Sequence, residues 1–235
     1  MKYKFKTDLI VILACAAVLA GCASTPAAPP GTLRVTYSLQ LIDGTRLKEA
    51  PTEIRLVQRE TTGRAVAAQA VLNILLVALT RSVAVSGFSK TDLKGERIED
   101  VDDRVNLQNP VSTVFVQSLQ GTVDARMTKE NIGQDRSFRY PLVVGGGYAT
   151  LVYDTLVEQK EPSYQLALKL DVYKRPENSW IKPAYLVQCS DRSEPPQPLA
   201  HWAESSYANA RQELDRMLSV CQSKVLTELP RLLEE

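Results

Sequence analysis

The chain has 235 residues, of which 44% are hydrophobic, with 28 basic and 27 acidic side chains, one histidine and four cysteines. A net charge of +1 without a basic excess excludes the electrostatic footprint of a nucleic-acid binder. One histidine leaves little to complete a zinc centre, and the length suffices for one proper core or two small ones.

The N-terminus reads as an export signal. Lys2, Lys4 and Lys6, partly offset by Asp8, precede an apolar stretch from Leu9 to Ala20. As a helix that stretch rises roughly 18 Å, against a hydrocarbon core of about 30 Å, so it is too short for a comfortable span. It ends in Leu19-Ala20-Gly21-Cys22. These four residues resemble the lipobox, the cleavage motif of bacterial lipoproteins. The resemblance implies thioether diacylglycerol on Cys22, cleavage after Gly21 and N-acylation of the new terminus. Competing readings are an ordinary secretory signal with a chance cysteine, or an uncleaved anchor. Ile12-Leu13-Ala14-Cys15 is a poorer site, because it leaves an apolar region of only about six residues. In the same family an Asp after the cysteine favours retention in the inner membrane, so Ala23 points to the outer membrane. Two or three acyl chains meet the requirement that stable anchoring takes more than one.

The expected organisation is a signal peptide over 1–21, a lipidated Cys22 with a Pro/Ala-rich tether over 22–31, and one periplasmic α+β domain over 32–235. Removing residues 1–21 takes away Lys2, Lys4, Lys6 and Asp8, leaving 25 basic and 26 acidic residues and a net charge of −1. The tether is extended and poor in packing groups, which stands the domain off the bilayer. With Cys22 committed to lipid, Cys189 and Cys221 remain as an even pair in an oxidising compartment, which points to a disulfide. Two buried thiols or a metal pair are the competing readings; a zinc site wants more Cys or His nearby, and His201 is the only histidine.

Along the mature chain, Leu33, Val35, Tyr37, Leu39 and Leu41 alternate with polar residues, the period of a half-buried strand. Asp43-Gly44 supplies turn chemistry and Glu53 to Gln58 a second extended run, so 33–58 is expected to form a hairpin. Residues 65–79 are the most apolar part of the mature protein and predict a helix that must be covered on most sides. A core helix is the plain reading, with a partner-facing surface and membrane insertion as alternatives. Residues 88–109 read as a solvated loop. Its acids Glu96, Glu99, Asp100, Asp102 and Asp103 lack the spacing of a calcium loop.

Asn109-Pro110 resembles an N-cap followed by Pro at the first helical position, opening a helix over 110–127, with Gly121 a candidate terminator. Tyr148 to Val157 is extended in character, Tyr164 to Tyr173 alternates strictly, and Ala184 to Cys189 makes a third strand of an antiparallel meander. From Pro198 one long helix carries Ala203, Tyr207, Ala210, Leu214, Met217, Cys221 and Val225 on a single stripe, with Pro230 near its end. The fold expected is α+β: an antiparallel sheet (hairpin plus meander) with helices on one face, including a long C-terminal helix.

Chemistry is sparse. No motif places a nucleophile at a strained turn, although His201 with Ser205 or Asp191 is the nearest approach to a hydrolase set. Val143-Val144-Gly145-Gly146-Gly147 lacks the Lys-Ser/Thr of a phosphate loop, and strand rather than helix follows it, so a bulge or turn is expected there. Tyr140, Tyr148, Tyr153, Tyr164 and Tyr173 suggest either half-buried sheet residues or a sugar or lipid groove. No cofactor or metal is expected. The leading expectation is a non-enzymatic assembly, scaffold or accessory subunit, anchored by lipid and facing the periplasm, with an envelope protein partner for which helix 65–79 is a candidate contact. A lipid- or glycan-binding envelope module comes second, and a hydrolase third.

Overall fold

The computed structural model describes residues 31–44, 46–58, 95–99, 101–154, 161–178 and 184–234. The predicted signal segment, Cys22, most of the tether and the predicted helix over 65–79 lie outside the described residues.

Two long strands make the centre. β3 (Leu142–Tyr153) and β4 (Ser163–Lys174) pair antiparallel, from Leu142 against Lys174 to Tyr153 against Tyr164. The strict alternation read in β4 is the cause. Leu166, Leu168, Leu170 and Val172 point to one face with Val144, Ala149 and Leu151 of β3, and all are buried. Full burial of each leucine contributes about 1.5–3 kcal/mol.

The remaining strands are short and line the two outer edges. β1 (Val35–Ser38) and β2 (Arg55–Val57) both pair with β3, at Leu142–Gly145 and at Thr150–Val152, and both run parallel to it. The expected 33–58 hairpin is therefore not formed, and the seven-stranded sheet is mixed rather than purely antiparallel. Asp43-Gly44 does turn the chain: Gly44, at φ 87°, donates to Leu41 O at 3.1 Å and Gln40 bridges to Arg46. That turn closes within a local excursion, after which the chain resumes its first direction. The predicted burial period of Leu33, Val35 and Leu41 holds even so. Gln120 completes the β1 edge, its amide accepting from Val35 N at 2.7 Å and donating to Leu33 O at 2.9 Å.

On the outer edge of β4 lie β5 (Tyr185–Gln188), β6 (Asp191–Arg192) and β7 (Gln197–Pro198), all antiparallel to it. The meander β3–β4–β5 is thus as expected. β3 begins at Leu142, earlier than the predicted Tyr148, because the glycine run forms a bulge within the strand rather than a turn before it.

Both described helices pack on the leucine-bearing face. The first opens one residue later than expected, with Pro110 rather than Asn109 as its N-cap, while Asn109 Oδ1 accepts from Val111 N at 3.1 Å just ahead of it. The first turn, Val111–Phe115, is π-helical and continues as α1 (Val116–Glu130). Gly121 sits exposed within α1, and the terminator is Asn131 in the left-handed conformation. The second helix, α2 (Leu199–Leu232), is not the continuous rod its stripe implies. Its backbone leaves helical geometry at Glu204 and passes through positive φ at Ser205 (48°), Ser206 (54°) and Tyr207 (67°). The break changes the helical phase, so Tyr207, Ala210, Leu214, Met217, Cys221 and Val225 are buried while Ala203 is exposed. Left-handed residues other than glycine cost of order 1–3 kcal/mol each. Burial of Trp202, with its indole N–H donating to Tyr164 O at 3.0 Å, works against that cost. Asn209 Nδ2 ties the two pieces by donating to His201 O at 2.8 Å. Pro230 lies in the last turns, and Leu229, Leu232 and Leu233 are buried beyond the predicted stripe.

Candidate functional site

Of the residues singled out in the sequence, Cys189 and Cys221 are joined as a disulfide, with Cα atoms 5.3 Å apart. The bond staples α2 to the edge strand β5, where Lys224 Nζ also donates to Gln188 O at 2.7 Å. Cys22 lies outside the described residues.

His201 is not brought together with the other members of the hydrolase set. Its ring meets Trp202 edge-on at 5.5 Å. Asp191 accepts from Arg216 at 3.2 Å, and Ser205 is exposed in the α2 break with its carbonyl accepting from Asn106 Nδ2 at 3.2 Å. Among the described residues, no hydrogen bond links the His201 ring to Ser205 or Asp191. The tyrosines divide between the two sheet faces. Tyr153 and Tyr164 pair on the helix side and Tyr148 and Tyr173 on the other, so they do not line one groove. Tyr140 takes the Arg139 guanidinium at 5.5 Å.

The glycine run marks where the chain packs too tightly for side chains. A Cβ on Gly145 would stand 2.5 Å from Gln40 O, and one on Gly147 (φ +93°) 2.5 Å from Val111 Cγ1. Two carbonyls of this stretch are met by side chains instead of a neighbouring strand. Tyr37 donates its hydroxyl to Gly146 O at 2.8 Å and Asn109 Nδ2 donates to Gly147 O at 2.7 Å. Burial pushes the Tyr37 phenol up to about 12, with Tyr148 adding to the effect.

The stretch matters because it lies in a gap. β1 leaves β3 at Gly145 and β2 joins it at Thr150, so among the described residues no strand pairs with Gly146 to Ala149 on that edge. The 39–54 excursion bridges the gap and leaves a cavity of about 260 Å³. Tyr148, Ala149 and Thr150 form one wall; Leu47, Pro51, Lys48, Glu49, Glu53 and Arg55 form the other.

The excursion is fastened at both ends. Leu47 N donates to Leu39 O at 2.8 Å, Ile54 N to Leu107 O at 2.7 Å and Asn109 N to Thr52 O at 2.8 Å. Glu53 receives both Arg104 Nε and Nη2 at 2.8 Å, with Arg97 at 3.5 Å. The hydrogen bond from Arg104 and the surrounding arginines hold the Glu53 carboxyl below its usual range. Nearer β1, Asp171 is buried and accepts from Ile42 N at 3.2 Å; burial raises its carboxyl above the ordinary range.

The expected solvated loop is corrected in part, since Ile98 and Leu107 are core residues and Arg104 clamps Glu53. Spacing carried no signal for that clamp, whose partners are 51 residues apart. Among the described residues, no group of three or more His, Cys, Asp or Glu stands close enough to hold a metal ion, and no helix is long and apolar enough to cross a membrane. No family model, curated protein or solved structure matches this chain.

Proposed function

We propose that this protein is a lipid-anchored envelope protein, held to the periplasmic face of an outer membrane through Cys22, and serving there as a non-enzymatic assembly, scaffold or accessory subunit. Cysteine accounting carries the reading. Cys189 and Cys221 are consumed by each other, so the cysteine that follows Leu19-Ala20-Gly21 is the one left for lipid outside the signal segment. A disulfide also suits an oxidising compartment beyond the inner membrane. The predicted helix over 65–79 is the first segment to test for the partner contact.

In cells fed labelled palmitate, the parent chain is expected to take up label and Cys22→Ala to accumulate as an unlabelled precursor. Persistent labelling of the variant would overturn the anchor. Crosslinking in intact envelopes is expected to trap a reproducible protein partner, and a strictly monomeric pattern would count against an accessory role. The cavity beside β3 favours a second reading, a ligand-binding module of the envelope.

A further inference from the structure

We propose that the cavity between the Leu47–Glu53 segment and the gap stretch of β3 is a binding site for a small carboxylate carrying a ring or apolar body. The inference holds whether or not the chain is lipid-anchored, because it rests on the cavity alone.

Size comes first. The cavity has a volume of about 260 Å³. That is below the usual range for drug-sized ligands, so the fit is to a small compound with one ring or a short apolar body rather than to a cofactor. Its apolar lining comes from Leu47, Pro51 and Tyr148.

Charge decides the ligand class. Of the two acids in the wall, Glu53 has both oxygens engaged by Arg104. Glu49 is loosely placed: its side chain is 80% exposed and meets Arg55 at 3.6 Å, beyond hydrogen-bonding distance. A pair held that way contributes little, and an incoming anion displaces Glu49 at small cost. Arg55 makes no hydrogen bond among the described residues, so its planar fork of donors is available to a carboxylate. Lys48 at the rim is exposed and makes no ion pair or hydrogen bond among the described residues, adding a second cation. The wall therefore offers two cationic donors, Lys48 and Arg55, against Glu49, which is weakly held, and Glu53, whose two oxygens Arg104 already occupies although its charge also acts on Arg55.

The site is also preorganised. The backbone bonds at Leu47, Ile54 and Asn109, together with the Glu53–Arg104 clamp, fix the segment that carries Lys48 and Arg55. Little backbone ordering remains to oppose binding, which leaves the Lys48 and Arg55 side chains to be ordered by the ligand.

The test uses the full chain in detergent, with benzoate and its neutral isostere benzamide as probes, titrated by calorimetry and by ligand-observed NMR. Benzoate is expected to bind saturably and at least about tenfold more tightly than benzamide, the size of one charge-assisted hydrogen bond. Arg55→Gln is expected to weaken benzoate about tenfold and leave benzamide unchanged. Lys48→Gln lies on an exposed loop position and serves as the second variant; it is expected to weaken benzoate by a smaller factor while keeping the parent melting curve. Equal affinity for the two probes overturns the proposal, as does absence of saturable benzoate binding. Unchanged benzoate affinity in Arg55→Gln also overturns it, and if that variant fails to fold, unchanged affinity in Lys48→Gln does so.

Discussion

Replacing both Cys189 and Cys221 by Ala removes a crosslink that closes a loop across a sequence separation of 32 residues. The chain-entropy relation for a loop of that length gives about 3–4 kcal/mol of stabilisation through restriction of the unfolded chain. Loss of two buried sulfur atoms from the core adds to this rather than offsetting it. The fold should survive, because α2 stays fastened to the β5–β6 edge by Lys224 on Gln188 and by Arg216 on Asp191. With a urea m-value of about 2 kcal/mol per M, the midpoint is expected to fall by roughly 1.5–2 M. The assay is urea unfolding of the full chain followed by far-UV circular dichroism, parent against double variant, with the parent repeated under reductant. A midpoint shift below about 0.5 M at unchanged m would refute the reasoning, because the unfolded state would not be gaining the predicted freedom. So would alkylation of Cys189 or Cys221 in the denatured but unreduced chain.

Ser206→Gly tests the break in α2 by the sign of its effect. At a φ of 54°, glycine relieves the left-handed cost and is expected to raise stability by about 0.5–1 kcal/mol. In a continuous helix the same change would lower stability by about 0.5 kcal/mol, so a fall in the urea midpoint would sink the broken geometry. Gly147→Ala places a Cβ 2.5 Å from Val111 Cγ1 at a φ of +93° and is expected to cost about 2–4 kcal/mol, read from thermal unfolding; a neutral result contradicts the close packing of the bulge. Glu53 and Asp171 should give opposite pH dependences. Glu53, lowered chiefly by its hydrogen bond from Arg104, contributes stability that is present above its unfolded pKa and lost as pH falls through its folded one. Glu53→Gln is therefore destabilising at neutral pH and converges with the parent in acid. Asp171, raised chiefly by burial, favours folding below its unfolded pKa, and that advantage is lost as pH rises through its folded one. Asp171→Asn, still able to accept from Ile42 N, is expected to stabilise at neutral pH and to lose that gain in acid. Urea midpoints across about pH 3–7 measure both, and slopes of the same sign would refute the assignment.

Local periodicity was reliable wherever one face of an element is covered along its length. β4 reads directly from its alternation because helices cover one side throughout. The α2 stripe from Tyr207 to Val225 reads equally well. The same reasoning failed at Ala203, where a pattern of steps cannot register a break that preserves composition but shifts phase. It failed again at the expected hairpin, where alternation marks a strand without naming the neighbour it pairs with. The cavity was the least legible feature. Its polar groups come from Lys48, Glu49, Glu53 and Arg55, whose order in the chain resembles any charged loop.

The sequence by itself determined the pairing of Cys189 with Cys221, the central strands and the C-terminal helix, since each rests on a local pattern or on a count of cysteines. Only the tertiary structure decided that β1 and β2 run parallel to β3, that the gap between them sits over the glycine bulge, and that Arg104 engages Glu53 and leaves Arg55 to face the cavity. The physical reason is range. Burial periodicity and turn chemistry act over a few residues, whereas strand partnership and a charge clamp spanning 51 residues come from the packing of the whole chain.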